Sequence, residues 1–147
     1  MRIVYIILTI CSTSVLSSGQ SRTVTGKVIG EYEDPPIPGV KIQSLDTVQL
    51  GTTDWEGNFK IEVPTGISAL TFIFLGMEST SVTIPPNCSY LEVIMMTDVI
   101  YDYVTTATIN RKRQRRFKNI KERHRQAFEK GIFTTEEPCV TYIYSKY

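Results

Sequence analysis

The feature that most constrains the fold is a rhythm. Between Thr23 and Met96, seven short β-prone segments recur about every ten residues, separated by Gly and Pro clusters. No helical period appears anywhere in that span. Thr23 to Ile29 sets Val24, Gly26 and Val28 on one face and Thr25, Lys27 and Ile29 on the other. The prolines of Asp34-Pro-Pro-Ile-Pro-Gly39 forbid a ladder and mark a loop. Val40 and Ile42 then begin a second strand. Phe59, Ile61 and Val63 alternate with Lys60 and Glu62, the period of a half-buried strand. Leu70 to Leu75 is almost wholly apolar, which predicts a central strand covered on both faces. Val82 and Ile84 alternate in the next segment. Leu91, Val93 and Met95 oppose Glu92, Ile94 and Met96 in the last. Short strands at this spacing predict a β-sandwich.

The sharpest local signal is Gly51-Thr-Thr-Asp-Trp-Glu-Gly-Asn-Phe59. It predicts a hairpin between Val48–Thr53 and Asn58–Val63. Gly57 takes the positive φ such a turn often needs, and Asp54 and Asn58 can bond their own backbone. Asp54, Glu56 and Asn58 also have the alternation of a calcium loop. A calcium loop of the EF-hand kind needs a bidentate Glu near its twelfth position and flanking helices, whereas here Lys60 and Ile61 continue in strand rhythm. The residues favour a structural turn.

Five pieces of this span carry a family resemblance: Val24-Thr-Gly-Lys-Val28, Ile37-Pro-Gly-Val-Lys-Ile42, Gly51 to Phe59, Val63-Pro64 and Phe74-Leu-Gly-Met77. Together they resemble the carboxypeptidase regulatory-like domain over about residues 23–96. Met77 stands where the family commonly has Tyr. The resemblance implies a transthyretin-like (prealbumin-like) β-sandwich without catalysis of its own. Such domains accompany metallocarboxypeptidases or sit at the N-termini of Bacteroidetes TonB-dependent outer-membrane receptors. Neither a peptidase domain nor a receptor plug and barrel follows in this chain. The implied partner is another cell-envelope protein.

The ends add two elements. Met1 to about Gly19 has an Arg2 start, an apolar run from Ile3 to Ile10 and small residues at Ser17 and Gly19. This is the pattern of a signal peptide over residues 1–19, cleaved before Gln20, and predicts export; the family resemblance implies the periplasm or the outer membrane as the destination. Even Ile3 to Leu16 is too short for the ~20 apolar residues of a membrane span. Leu8-Thr-Ile-Cys11 is close to a lipobox, but Ile10 is larger than the residue normally found before a lipidated Cys. Plain cleavage is therefore the leading reading and a lipoprotein through Cys11 the lesser one. An oxidising compartment permits a disulfide between Cys88 and Cys139; two buried free thiols are the alternative.

The charge is unevenly distributed. The chain of 147 residues has a net charge of +1, yet residues 111–130 hold ten Lys/Arg and two Glu, leaving six basic and thirteen acidic residues elsewhere. This stretch predicts a helix over about 111–130, capped by Asn110 and stopped by Gly131, with Phe117, Ile120, His124, Ala127 and Phe128 on one stripe. Positive charge near the helix start opposes the macrodipole and predicts fraying before about Arg116. The leading reading docks the stripe on the sandwich, with the cations in solvent or paired to acids. The alternative makes Arg111, Lys112, Arg113, Arg115, Arg116, Lys118 and Lys121 an anion- or partner-binding face for an anionic membrane or polyanion. Export disfavours nucleic acid.

Little points to catalysis. His124 is the only histidine, inside the basic segment, so a Ser/His/Asp set or a multi-ligand zinc site has no second imidazole to use. The reading is of a non-enzyme without a cofactor. Val99 to Val104 is a last strand or an extended arm. Cys139 to Tyr144 alternates as a terminal strand that covers a sandwich edge. The expected architecture is mainly β: a seven-stranded sandwich over 23–100, then an extension over 101–147 that holds one basic helix and a short final strand at about 139–144.

Overall fold

The computed structural model describes residues 20–146. The expected leader over 1–19, with Cys11, lies outside the described residues. In chain order the strands are β1 (Ser21–Gly30), β2 (Lys41–Ser44), β3 (Gln49–Thr52), β4 (Asn58–Pro64), β5 (Ala69–Ile73), β6 (Thr80–Thr83) and β7 (Tyr90–Met95). Two helices follow, α1 (Thr106–Lys118) and α2 (Ile120–Glu129), and then β8 (Thr141–Ile143). The strands make two sheets, of order β4-β1-β7 and β3-β2-β5-β6-β8. Every ladder is antiparallel except β1 with β7, where Val28 lies opposite Val93 and Ile29 opposite Ile94. The chain is mainly β, a two-sheet sandwich, as the strand rhythm predicts.

Alternation fills the space between the sheets. Val24, Val28, Ile42, Ile61, Leu70, Phe72, Leu91 and Val93 are buried there. Phe59 and Phe72 meet across the layers edge to face, with ring centroids 5.7 Å apart.

The β3–β4 connection differs from the expected hairpin. β3 pairs with β2 and β4 with β1, so the turn carries the chain from one sheet to the other. The turn chemistry is as read for Asp54 and Gly57, while Asn58 joins through its backbone N–H and carbonyl. Asp54 Oδ1 accepts from the N–H groups of Glu56 (3.0 Å) and Asn58 (2.7 Å), which occupies the carboxylate in the turn. Gly57 has φ 74°, and a Cβ there would lie 2.4 Å from the Val28 carbonyl oxygen. Thr53 Oγ1 donates to the Ile37 carbonyl (2.6 Å) and accepts from Val40 N–H (2.9 Å), fastening the turn to the proline loop.

β5 also departs from expectation. Leu70 and Phe72 are buried, but Thr71 and Ile73 are only half-buried and Leu75 is 95% exposed. The outer face of this strand carries Thr71, whose hydroxyl lies 3.0 Å from that of Ser81. It is β7 that is covered on both faces: Leu91, Val93 and Met95 face the sandwich core, while Ile94 and Met96 join Ile29, Ile120, Ala127 and Phe133 in a second core under the helices.

The helical segment begins earlier than the Asn110 cap predicts. Thr105 is the N-cap, in extended conformation, and its side chain accepts from Thr108 N–H at 3.4 Å. The helix breaks at Asn119, whose N–H bonds to Arg116 O (3.0 Å), before Arg123 N–H resumes to Asn119 O (3.0 Å). This break reverses the charge argument. Arg115, Arg116 and Lys118 occupy the last turn of α1, where cations favour the dipole, so the expected fraying before Arg116 loses its cause. Gly131, at φ 72°, ends α2. Residues 99–104 form no strand; the chain makes one bridge, Met77 to Thr97, and turns into α1. The terminal strand is shorter than 139–144 but lies along the β6 edge, with Tyr142 opposite Val82.

Candidate functional site

The seam between the helices and the three-stranded sheet holds most of the buried charge. Glu31 follows β1, Glu78 precedes β6 and Glu92 lies on β7; they are 1%, 6% and 2% exposed. A buried carboxylate without a partner costs several kcal/mol, so the helix cations that meet these acids are structural requirements. Arg113 Nε donates to Glu78 (2.9 Å), and its Nη1 donates to Ser145 O (3.0 Å). Arg116 bridges both acids, pairing with Glu31 and reaching Glu78 at 3.4 Å, and it also donates to Thr97 O (2.7 Å). Burial opposes the Arg116 charge, but hydrogen bonds to Glu31 and Tyr101 and the charges of Glu31 and Glu78 outweigh it and raise its pKa. Lys130 pairs with Asp34 at 2.5 Å, and Arg123 donates to the Glu31 carbonyl.

Two of the seven sequence-chosen cations therefore turn inward. Arg113 is 8% exposed and Arg116 is half-buried, because Glu31 and Glu78 need them as counter-ions. Neither belongs to an outward anion-binding face. Arg111, Lys112, Arg115, Lys118 and Lys121 are exposed. Lys112 sits over the Tyr101 ring at 5.3 Å, and Lys121 pairs with Glu137 at 2.8 Å. On the stripe, Ile120, His124 and Ala127 are buried, Phe117 is half-buried against Tyr142 and Tyr144, and Phe128 is exposed at the rim. The acids that receive the cations carry no local sequence signal; the excess of acid outside residues 111–130 is their only trace.

His124 is wholly buried beside Glu92. Its Nε2–H donates to Thr135 O at 2.9 Å, which leaves Nδ1 as the unprotonated nitrogen, buried without a partner. Burial pushes the imidazole pKa down, against the pull of Thr135 O and of Glu92 at 3.6 Å. Glu92 accepts from the backbone and hydroxyl groups of Thr134 and Thr135. The Thr135 hydroxyl thus donates to a carboxylate and the imidazole is closed to solvent. This arrangement clamps the chain after α2 to β7; it is not poised for nucleophilic chemistry. No group of three or more His, Cys, Asp or Glu fit to hold a metal ion occurs among the described residues.

Cys88 and Cys139 are joined, their Cα atoms 6.0 Å apart, which ties the approach to β8 to the approach to β7. Tyr142 OH accepts from the free edge of β7 at Ile94 N–H (2.8 Å). Burial, chiefly, raises the Tyr142 pKa, so it stays neutral.

A family model described as the CarboxypepD_reg-like domain matches residues 24–100. The TonB-dependent receptor P3 of Formosa agariphila is 29% identical over 79 residues, covering 54% of this chain and 8% of that protein. The chain thus spans less than a tenth of that relative's length. A chain in the cryo-EM structure of the E. coli P pilus tip assembly intermediate PapC-PapD-PapK-PapG aligns with a TM-score of 0.42 and 16% identity, over 57% of this chain and 10% of that one.

Proposed function

The chain belongs to the CarboxypepD_reg-like domain family, and from that premise we propose that it is a non-catalytic module of the cell envelope that works by protein contact. The observation that carries this reading is the helix seam. Arg113 and Arg116 are committed to Glu78 and Glu31, so the extension acts as a brace on the sandwich. The envelope location is supported by the receptor relative and by the leader expected over residues 1–19. Photo-crosslinking in growing cells, with the probe at Trp55, Leu75 or Lys60 in turn, tests the reading. An adduct to an envelope protein or to another copy of the chain is expected from at least one site. Absence of adducts from all three, with the protein present in the envelope fraction, overturns it.

A second reading rests on the cations that remain exposed. Arg111, Arg115 and Lys118 could attract anionic headgroups, at ~1 kcal/mol for each well-placed charge. It requires vesicle binding that falls steeply with salt and is lost in Arg111→Gln/Arg115→Gln/Lys118→Gln. Binding unchanged in that variant ends this reading.

A further inference from the structure

The end of the sandwich where β1 starts and β4 stops holds an open recess of about 420 Å³. Residues directly opposite on an antiparallel ladder share a face. Val24 lies opposite Ile61, and one step further toward this end Arg22 lies opposite Val63. Val24, Ile61 and Val63 all belong to the core between the sheets. The pattern of β1 therefore sets a guanidinium on the core face, where the next apolar side chain would stand. Arg22 reaches across to the chain that follows β6. Its Nη1 donates to the carbonyls of Pro85 (2.9 Å), Pro86 (2.6 Å) and Cys88 (3.4 Å), and its Nη2 to that of Ile84 (3.4 Å). These carbonyls are dipoles and bring no net charge. Arg113, Arg116 and Lys130 each have a carboxylate partner, but Arg22 has none among the described residues. Its Nε–H makes no hydrogen bond and is not closed off from solvent.

Among the described residues Arg22 is the one charged side chain in the lining. Ile67, Ile84, Pro64 and Pro86 supply an apolar wall, and Ser68 a hydroxyl at the edge. The acids near this end are all turned elsewhere. Glu62 points to the outer face of the three-stranded sheet, where it accepts from the hydroxyls of Ser21 (3.1 Å) and Thr23 (2.5 Å). Asp46 lies in the β2–β3 turn, outside the lining, and Glu136 and Glu137 lie against α2 beside Arg125 and Lys121. A concave, mostly apolar recess of this size with one placed charge has the form of a small-molecule site. A single guanidinium matches a monoanion, whereas a phosphate dianion needs a second cation that this lining lacks. The carbonyls occupy Nη1, so the edge left for a ligand is Nε with Nη2, whose parallel N–H groups fit a planar carboxylate. We propose that this recess binds a small amphiphilic carboxylate, its head on Nε and Nη2 of Arg22 and its hydrocarbon body against Ile67, Ile84 and Pro86. The site lies beyond the protein-contact reading and does not depend on it.

Decanoate is the probe, followed by titration calorimetry and by NMR of the isoleucine methyl groups in the purified protein. Saturable one-to-one binding below the micellar range is expected, with shifts at Ile67 and Ile84. Decanol and decyltrimethylammonium carry the same chain without the anion and should bind roughly tenfold more weakly or worse. Arg22→Gln should weaken decanoate by a similar factor. That variant also gives up bonds to the loop carbonyls, so Ser68 supplies an independent test. Its side chain is exposed, and Ser68→Asp should weaken decanoate while Ser68→Lys tightens it, with the circular dichroism unchanged in both. Decanoate that binds no better than decanol overturns the proposal, as does decanoate binding indifferent to Arg22→Gln and to both Ser68 variants. Shifts confined to Ile100 and Ile109 would put the anion on the basic helix and also overturn it. Inorganic phosphate that competes as strongly as decanoate would mark a bare anion site and overturn the amphiphile.

Discussion

His124 shows how one side chain converts packing into a pH response. Its pKa is lowered in the fold, chiefly by burial. The unfolded chain therefore binds the proton first, and stability present above the ordinary value of about 6.5 is lost as pH falls below it toward the folded value. The urea midpoint should drop between pH 7 and 5, and His124→Gln, which keeps an N–H for Thr135 O, should remove that part of the slope. An unchanged slope would place the titration elsewhere. Gly57 gives a second test at this scale. Its positive φ and the Val28 carbonyl leave no room for a β-carbon, so Gly57→Val should cost about 2 kcal/mol or more in chemical denaturation. The Gly57 conformation was legible in the sequence, because turn chemistry is local. The burial of His124 was only half legible: the stripe placed it on the inner face of a helix, but Glu92 and Thr135 come from segments that no local pattern links to it.

Among the elements, the broken helix depends most on the rest of the chain. Its apolar stripe is narrow: Ile120 and Ala127 enter the second core, and beside them Arg113 pairs with Glu78 and Arg116 with Glu31. Removing one member of a buried pair leaves a charge stranded, so Glu78→Ala should destabilise by roughly 3 kcal/mol, read from thermal or urea unfolding. Glu78→Met with Arg113→Met should recover much of that loss, because neither partner is then left unpaired. A double variant no better than the single one would mean that the pair earns a net gain. Helix existence and period were legible from Phe117, Ile120 and Ala127. The start at Thr105 was not, since Thr106, Thr108 and Ile109 are weak helix formers and the first turn depends on the Thr105 cap. The β3–β4 crossing was hidden for a related reason: Asp54 to Asn58 makes the same turn whether the flanking strands pair or part.

Across the molecule, the two cores and the disulfide make the extension part of one unit. The bond between Cys88 and Cys139 closes a separation of 51 residues, worth about 4 kcal/mol on the chain-entropy model. Peptide mapping without reductant should find the linked pair. Reduction should lower stability by about that amount and expose the chain beyond Phe133 to protease before the sandwich is cut. Equal sensitivity of both parts would show that the seam does not need the bond. The sandwich as a whole was legible because alternation is a property of each strand alone. The end of the sandwich that gathers exposed Trp55, Leu75, Ile100 and Tyr103 was not, since three separate loops must converge before it exists. The strand order also has a consequence for synthesis. β1 emerges first, yet it lies between β4 and β7, and its parallel partner β7 comes some sixty residues later. A chain arrested before Asn58 has a first strand with neither neighbour, and one arrested before Tyr90 has only the β4 side of it paired, so the three-stranded sheet closes only when most of the domain has been made.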